Sequence, residues 1–436
     1  MAIWDFDTRR KKRGKCALVL APKSLLRSTW FNDFKKFAPH LKVVVATASD
    51  REDTFFNKDA DAYVTNIDAA KWLAKQKKGF FDRFDTLIID ESSAYKHATS
   101  QRSRAMAKIA KFFKFRRAMT GTPNGRSITD VWHQVYLLDD GKRLGSSFYS
   151  FRNAVCEPKQ VGRNANAINW ADKDGAEEAV FGLLQDIVIR HKFEDCVDIP
   201  ANHRYVLEYE LPTKHRKVYD EFQQRQYIEI TRKNTANATA RLLGENPTDV
   251  AQISAINAAV LANKLLQVAS GAVYSTTDEA VLVDEGRYKM ILDLVEERQH
   301  SLVFFLWKHQ RDALVAEADK RGISFCVLDG ETPENDRADM VARYQTGQYQ
   351  AMFAHPKSAA HGLTLTKGTT TIWSSPTPDL EIFEQGSKRQ HRIGQTQKTE
   401  TITIVAPGTA DERVYYQILM PKKARMDNLL DLFALL

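Results

Sequence analysis

The stretch TLIIDESSAYKH, residues 86–97, is an apolar run that ends in two adjacent carboxylates, Asp90 and Glu91. Thr86 to Ile89 reads as a buried strand, and in a parallel sheet ligands bind beyond the carboxyl ends of the strands. An Asp at such an end can hold a Mg²⁺, directly or through water, and the following Glu can orient and deprotonate an attacking water. An acidic helix cap after a strand is the competing reading. A second stretch, MTGTPNG (119–125), offers Gly121 and Thr122, small groups that can approach a phosphate. Ordinary turn chemistry also explains it. A third, EQGSKRQHRIGQTQ (384–397), places Arg389 and Arg392 three residues apart. On a helix they share a face, where they can clamp a phosphate or meet a developing charge; a solvated charged face is the alternative. SAAHGLTLTKG (358–368) adds Gly362 and Thr364, suited to close backbone approach. His361 and His391 have no Cys or His at metal spacing, so both read as structural or polar contacts.

The elements around these stretches alternate. CALVLAP (16–22), KVVVATA (42–48), AYVTN (62–66), TLIIDE (86–91) and RRAMTGTP (116–123) read as strands separated by amphipathic segments. SLVFFLW (301–307), SFCVLDG (324–330), QAMFAH (350–355), TTIWSS (370–375) and ETITIVAP (400–407) form a second such block. Strand–helix alternation predicts parallel sheets covered on both faces. Residues 212–270 carry few strand signals and read as helices, with Ile253, Ile256, Val260 and Leu265 on one face and GENPTD as a loop. The fold class is therefore α/β, with two parallel-sheet blocks and a helical insert.

Bulk properties narrow the function classes. The 436 residues are 43% hydrophobic and 27% charged, enough for two or three soluble domains. No apolar stretch reaches membrane-spanning length, and the N-terminus lacks a secretory signal. Four scattered cysteines without CxxC point to a reducing, cytoplasmic setting with no structural zinc. The formal charge is +8, and residues 1–15 hold six Lys/Arg against two Asp. A basic balance suits a polyanion, although a solvated basic face accounts for charge alone.

The order of the stretches resembles the helicase-like superfamily-two ATPases and, within them, the Swi/Snf-type DNA translocases. LVLAPKSLLRSTWFNDFKKF looks like motif Ia, VTNIDAA like Ib, LIIDESS like the Walker B motif II and MTGTP like motif III. IVIRHKFEDCVDIP resembles the segment that joins the two lobes. SLVFFLWKHQ looks like motif IV, HGLTLT like motif V and QGSKRQHRIGQTQ like motif VI, whose RxHRIGQ string is the most specific. The compact insert looks like phage or bacterial members.

The resemblance implies two RecA-like lobes acting on ATP with Mg²⁺. Asp90 would coordinate the metal and Glu91 would be the base, with Arg389 and Arg392 across the cleft. Gly121, Thr122, Gln385 and Gly362 would line the nucleotide. Lys23, Ser24 and Thr65 in the first lobe, and Gly362 and Thr364 in the second, would touch the backbone of DNA, duplex foremost, without reading sequence. The implied domains are 1–200, a helical insert at 201–285, and 286–436.

One expected part does not occur. A phosphate-cradling G-x-x-x-x-G-K-[ST] between strand and helix is absent from the 436 residues. Gly14-Lys15 and Gly141-Lys142 both fail the pattern. AIWDFDTRRKKRG reads as the end of the helix that precedes motif Ia, so the first lobe reads as incomplete at its N-terminus. A fragment, a late start or a split gene would each account for this, as would an upstream fragment or partner supplying the loop. A missing central strand would leave unpaired neighbours in the sheet. Two readings compete: a DNA-dependent ATPase and translocase, and a nucleotide-incompetent remnant that still binds nucleic acid. An NAD-dependent enzyme ranks behind both, because no GxGxxG follows a strand.

Overall fold

Continuous apolar runs become strands buried on both sides. In the first unit β1 (Cys16–Ala21), β2 (Val43–Ala46), β3 (Ala62–Asn66), β4 (Phe84–Asp90) and β5 (Phe115–Met119) form one parallel sheet in the order β2-β3-β1-β4-β5. Alternate residues go to opposite faces. Leu18, Leu20, Leu87 and Ile89 enter one apolar core, and Ala17, Val19, Val64 and Ile88 enter the other. Helices α1 (Ala2–Arg13) and α2 (Asn32–Phe37) cover the Val19 face through Ile3, Phe6 and Phe34. The Leu18 face is covered by α4 (Ala70–Leu73) and α5 (Gln101–Ala110), and α3 (Arg51–Asn57) adds Phe55. Gly14 ends α1 in the left-handed region, φ 65°, where its N–H reaches Arg10 O at 2.8 Å.

This computed structural model describes residues 1–160, 168–191, 196–224, 260–274, 280–359 and 363–434. The chain divides into two units. The first holds Met1–Pro158, Trp170–His191 and Lys422–Leu436, and the second holds Lys159–Asn169 and Lys192–Pro421. The first sheet is continuous, so the expected interior gap does not occur. Pairing of β4 with both β1 and β5 closes it, and β5, whose residues are all half-buried, forms an edge.

Two short strands, β6 (Cys156–Gln160) and β7 (Ile168–Asp172), pair with each other. The second unit has a six-stranded parallel sheet. It comprises β8 (Asn202–Glu208), β11 (Ser301–Phe304), β12 (Phe325–Leu328), β13 (Ala351–Ala354), β14 (Thr370–Trp373) and β15 (Thr399–Val405), in the order β12-β13-β11-β14-β15-β8. A hairpin of β9 (Ala272–Tyr274) and β10 (Ala280–Leu282) stands apart from it. Val303, Phe353, Ile372 and Ile402 pack under the helices Gly286–Arg298 and Lys308–Arg321. On the other face Gly386 lets the helix Leu380–Ser387 approach closely. A Cβ there would lie 2.8 Å from Trp373 and 3.0 Å from Phe304.

The expected helical region is partly described. Residues 213–224 and 260–269 are helical, whereas Ile253, Ile256 and GENPTD lie outside the described residues. The predicted common face is corrected. Leu265 is buried at 4% exposure and Val260 is 50% exposed. Five residues of helix turn the side chain about 140° away, and the buried stripe is Leu265, Leu266 and Ala269 against Leu211 and Tyr219.

Candidate active site

In the first unit all five strands are parallel, so the turns after β1, β3, β4 and β5 share one edge of the sheet. That edge carries Lys23 and Ser24, Asn66, Asp90 and Glu91, and Thr120 to Thr122. Asp90 is held from two sides. The Trp30 indole N–H donates to its Oδ2 at 2.8 Å, and the Glu91 backbone N–H donates to its Oδ1 at 3.1 Å. Trp30 comes from the π-helical stretch Leu26–Phe31 that follows β1. Burial raises the Asp90 pKa above the ordinary carboxylate value, and the two hydrogen bonds oppose that rise.

Glu91 has φ 52° and ψ 56°, the left-handed region that a side chain disfavours. The next residues fix the backbone there. Ser92 Oγ donates to Gln134 Oε1 at 2.7 Å, and Gln134 Nε2 donates to the Pro123 and Asp130 carbonyls at 2.8 and 3.0 Å. Gln134 lies on α6 (Asp130–Asp139) and is buried. One side chain thus ties the turn behind the two acids to the Thr-Gly-Thr-Pro turn. The neighbouring His133 meets the Tyr95 carbonyl through Nδ1 at 2.6 Å, and Tyr95 donates to the Ile67 carbonyl at 2.8 Å. In the Thr-Gly-Thr-Pro-Asn turn, Thr122 Oγ1 and Asn124 Oδ1 are buried without a hydrogen-bond partner. Gly121 is exposed, and a Cβ there would meet nothing within 4 Å.

Among the described residues no three His, Cys, Asp or Glu side chains cluster as a metal site. Asp90 is a single oxygen donor. This fits Mg²⁺, which takes one or two carboxylates and fills its other positions with phosphate and water.

In the second unit two loops are laced together, one before β14 and one before β15. Gln395 Nε2 donates to the Thr366 and Gly368 carbonyls at 3.1 and 3.0 Å, and the Leu365 N–H donates to Arg389 O at 3.0 Å. Gln390 joins Thr371 and Tyr344 at 3.0 Å each. Arg389 and Arg392 both point a guanidinium at the Leu363 carbonyl, at 3.4 and 2.7 Å. Arg392 also reaches Thr364 Oγ1 at 3.5 Å. Burial works against the charge on Arg392 and lowers its pKa.

Comparison with known proteins shows the family. Residues 2–254 match the SNF2-related domain, and residues 286–394 match the helicase conserved C-terminal domain. The chain belongs to the SNF2-related family. It is 29% identical to protein p41 of Acyrthosiphon pisum secondary endosymbiont phage 1, covering 96% of this chain and 88% of that protein. It is 24% identical to the SWI/SNF-related matrix-associated actin-dependent regulator of chromatin subfamily A-like protein 1 of Xenopus tropicalis, over 92% of this chain and 39% of that protein. It is 22% identical to the ATP-dependent helicase MG018 of Mycoplasma genitalium, over 91% of this chain and 36% of that protein. The chain therefore spans under two-fifths of these last two relatives. Among solved structures, the Sulfolobus solfataricus SWI2/SNF2 ATPase core in complex with dsDNA aligns at 18% identity and a TM-score of 0.37, covering 98% of this chain and 85% of that one.

For this SNF2-related chain the residues expected from sequence fall into three groups. Asp90, Glu91, Gly121, Thr122, Lys23 and Ser24 meet on one sheet edge. Arg389, Arg392 and Thr364 meet in the second unit, and Gln385 sits half-buried on the helix Leu380–Ser387. Two expectations are corrected. The arginines do not share a helical face, because the helix ends at Ser387. Turns carry both, and Leu363 gathers them. Thr65 is not an exposed backbone contact. It is fully buried in β3, and its hydroxyl donates to Ala46 O at 2.8 Å. Gly362 and His361 lie outside the described residues, and His391 meets the Pro200 carbonyl at 3.0 Å, a structural contact. Trp30, Ser92, Gln134, Gln390 and Gln395 were not singled out from sequence. Trp30, Ser92, Gln390 and Gln395 stand inside motif stretches, which is the available signal, and Gln134 does not.

Proposed function

We propose that this chain is the motor part of an ATP-dependent translocase that moves on DNA. The observation that carries the proposal is the Asp90–Glu91 tip. One acid is immobilised by Trp30 and the next is forced into a left-handed backbone, on the same edge as a turn with unpartnered buried oxygens. Family membership supports it. Asp90 would ligate Mg²⁺, which neutralises phosphate charge and orients the nucleotide when bound. Glu91, directly beyond β4, accepts a proton from the attacking water. Thr122 Oγ1 has capacity to spare for a phosphate or its hydration. Arg389 and Arg392 supply positive charge to the oxygens on which charge develops. Lys23, Ser24 and Thr364 are exposed and contact the nucleic-acid backbone, with duplex DNA the favoured partner.

The test is hydrolysis with and without duplex DNA. In any version of the chain that hydrolyses ATP, Glu91→Gln should retain nucleotide binding and lose turnover, because it removes the base and keeps the shape. Arg392→Ala should lower turnover ~10³-fold or more. Near-normal turnover in either would remove that residue from its role. A second reading, a nucleic-acid-binding remnant without hydrolysis, is favoured by one observation: no G-x-x-x-x-G-K-[ST] occurs in the 436 residues. Duplex binding with no turnover in any variant would select it.

A further inference from the structure

Of the helices on the Leu18 face of the first sheet, α3 exposes Glu52 and Asp53, whereas α4 and α5 are apolar inside and basic outside. α4 and α5 bury Ala70, Leu73, Met106 and Ile109 in the core. Outward, α4 and the turn after it expose Lys71, Lys75, Lys77 and Lys78. Alongside, α5 and its C-terminal end expose Arg104, Lys108, Lys111 and Lys114. None of these eight cations pairs with an acid among the described residues. Residues 69–84 contain one acid, Asp82, and residues 101–119 contain none. Two acids beside these elements are paired elsewhere, Asp68 by Arg102 at 2.7 Å and Asp140 by Arg116 at 3.0 Å.

Folding does not ask for this pattern. Arg104 and Lys108 stand four residues apart on α5, and like charges at that spacing weaken a helix. Lys108 and Lys111 gain from the helix C-terminus, but Arg104 lies in the first half of α5, where a cation gains nothing. The stripe is also far from a protein-docking composition, since lysine is depleted from the cores of protein interfaces. What it matches is a polyanion whose charges stay near water. Arg104 to Lys111 spans about 10 Å of helix, and a duplex carries one charge per about 1.7 Å of axis, so several phosphates can face the stripe.

We infer that the outer face of α4 and α5 is a second nucleic-acid surface, which binds the phosphodiester backbone of a duplex. It is separate from the Lys23–Ser24 turn, whose following helix packs on the Val19 face through Leu26 and Trp30. The inference rests on the proposed function for its choice of nucleic acid over other polyanions. It does not rest on nucleotide chemistry.

The experiment is anisotropy of a labelled 30-base-pair duplex against salt, for the wild type, Lys23→Ala and the triple variant Lys75→Gln, Lys108→Gln, Lys111→Gln. Each lost phosphate contact lowers the slope of log K against log salt by about 0.9, so the triple variant should lose roughly 2 to 3 units of slope. Its affinity should fall ~10-fold or more at about 0.1 M salt. An unchanged melting temperature shows that the fold is intact. Unchanged slope and affinity overturn the inference. So does loss of poly-glutamate binding with duplex binding intact, which makes the stripe a surface for acidic proteins. If Lys23→Ala has no effect while the triple variant does, the motif-based contacts fail and the stripe stands.

Discussion

Lowering the pH should destabilise the second unit through His309. This imidazole is 3% exposed and accounts for both its nitrogens: Nε2 lies 2.9 Å from Ser270 Oγ and Nδ1 lies 2.8 Å from the Tyr274 hydroxyl. Burial, with the Arg287 charge adding to it, pushes the pKa from 6.5 down to about 4. Linkage sets the sign. At pH 7 both folded and unfolded forms are neutral. Below pH 6.5 the unfolded chain takes up a proton that the folded chain refuses until about pH 4, so stability falls across that window. A gap of about 2.5 between the two pKa values, at about 1.4 kcal/mol for each whole step, gives a loss of about 3 kcal/mol by pH 4. Trp307 stacks near the ring, with centroids 5.9 Å apart and planes 10° apart, and reports the event by its emission. The assay is urea denaturation from pH 7 to pH 4, with the Trp307→Phe variant identifying the Trp307 signal. His309→Asn should be less stable at pH 7 and should lack this share of the pH dependence. Equal pH dependence in both proteins, or an imidazole that titrates near 6.5, would refute the reasoning.

Two further outcomes are expected. Titration of Mg·ATP into the 436-residue chain should give weak binding, because no loop in it surrounds the phosphates with backbone N–H groups and a lysine; micromolar affinity by calorimetry would show that the site does not need one. Trp30→Phe removes the N–H from Asp90 Oδ2 and should raise the Asp90 pKa further, read by carboxyl carbon NMR, while costing the first unit about 1–3 kcal/mol; an unmoved titration would free Asp90 from Trp30.

The sheets were legible because buried parallel strands carry uninterrupted apolar runs. AYVTN became β3 without change, and TLIID became the end of β4. β8 was not legible. NHRYVLE alternates between exposed and partly buried positions on the sheet edge, and it falls within 201–285, the stretch that reads as the helical insert. The chemical groups were legible by type, and their partners were not. Trp30 and Asp90 are 60 residues apart, and nothing local marks an indole as a carboxylate's donor. Ser92 and Gln134 are 42 apart, and a Gln within an apolar helix looks like a tolerated polar residue until its contacts with Ser92 and Pro123 are seen. Thr65 shows the reverse error. A hydroxyl next to a strand end looks available, but the pleat turns this one inward to Ala46. The helical spacing of Arg389 and Arg392 misled in the same way, because tertiary lacing by Gln390 and Gln395 replaces the helix there.

Two acids at one strand tip can be separated by backbone conformation. Asp90 ends β4 in ordinary extended structure, and Glu91 turns left-handed at φ 52°. An L-residue there costs about 1–2 kcal/mol, and such costs persist where surrounding structure over-determines them. The Ser92–Gln134–Pro123 bridge supplies that determination. The strain implies a distinct ranking of variants at position 91. Alanine keeps the left-handed cost and loses the carboxylate. Glycine removes the cost but adds about 0.4–1 kcal/mol of unfolded-state entropy. Glu91→Gly should therefore be more stable than Glu91→Ala by roughly 0.5–1 kcal/mol, the reverse of the order in a helix or strand interior. Both should lack turnover. Chemical denaturation of the two variants measures the difference directly. If the alanine variant is the more stable, Glu91 is not strained in the protein, and the carboxylate's position must come from its side-chain contacts instead.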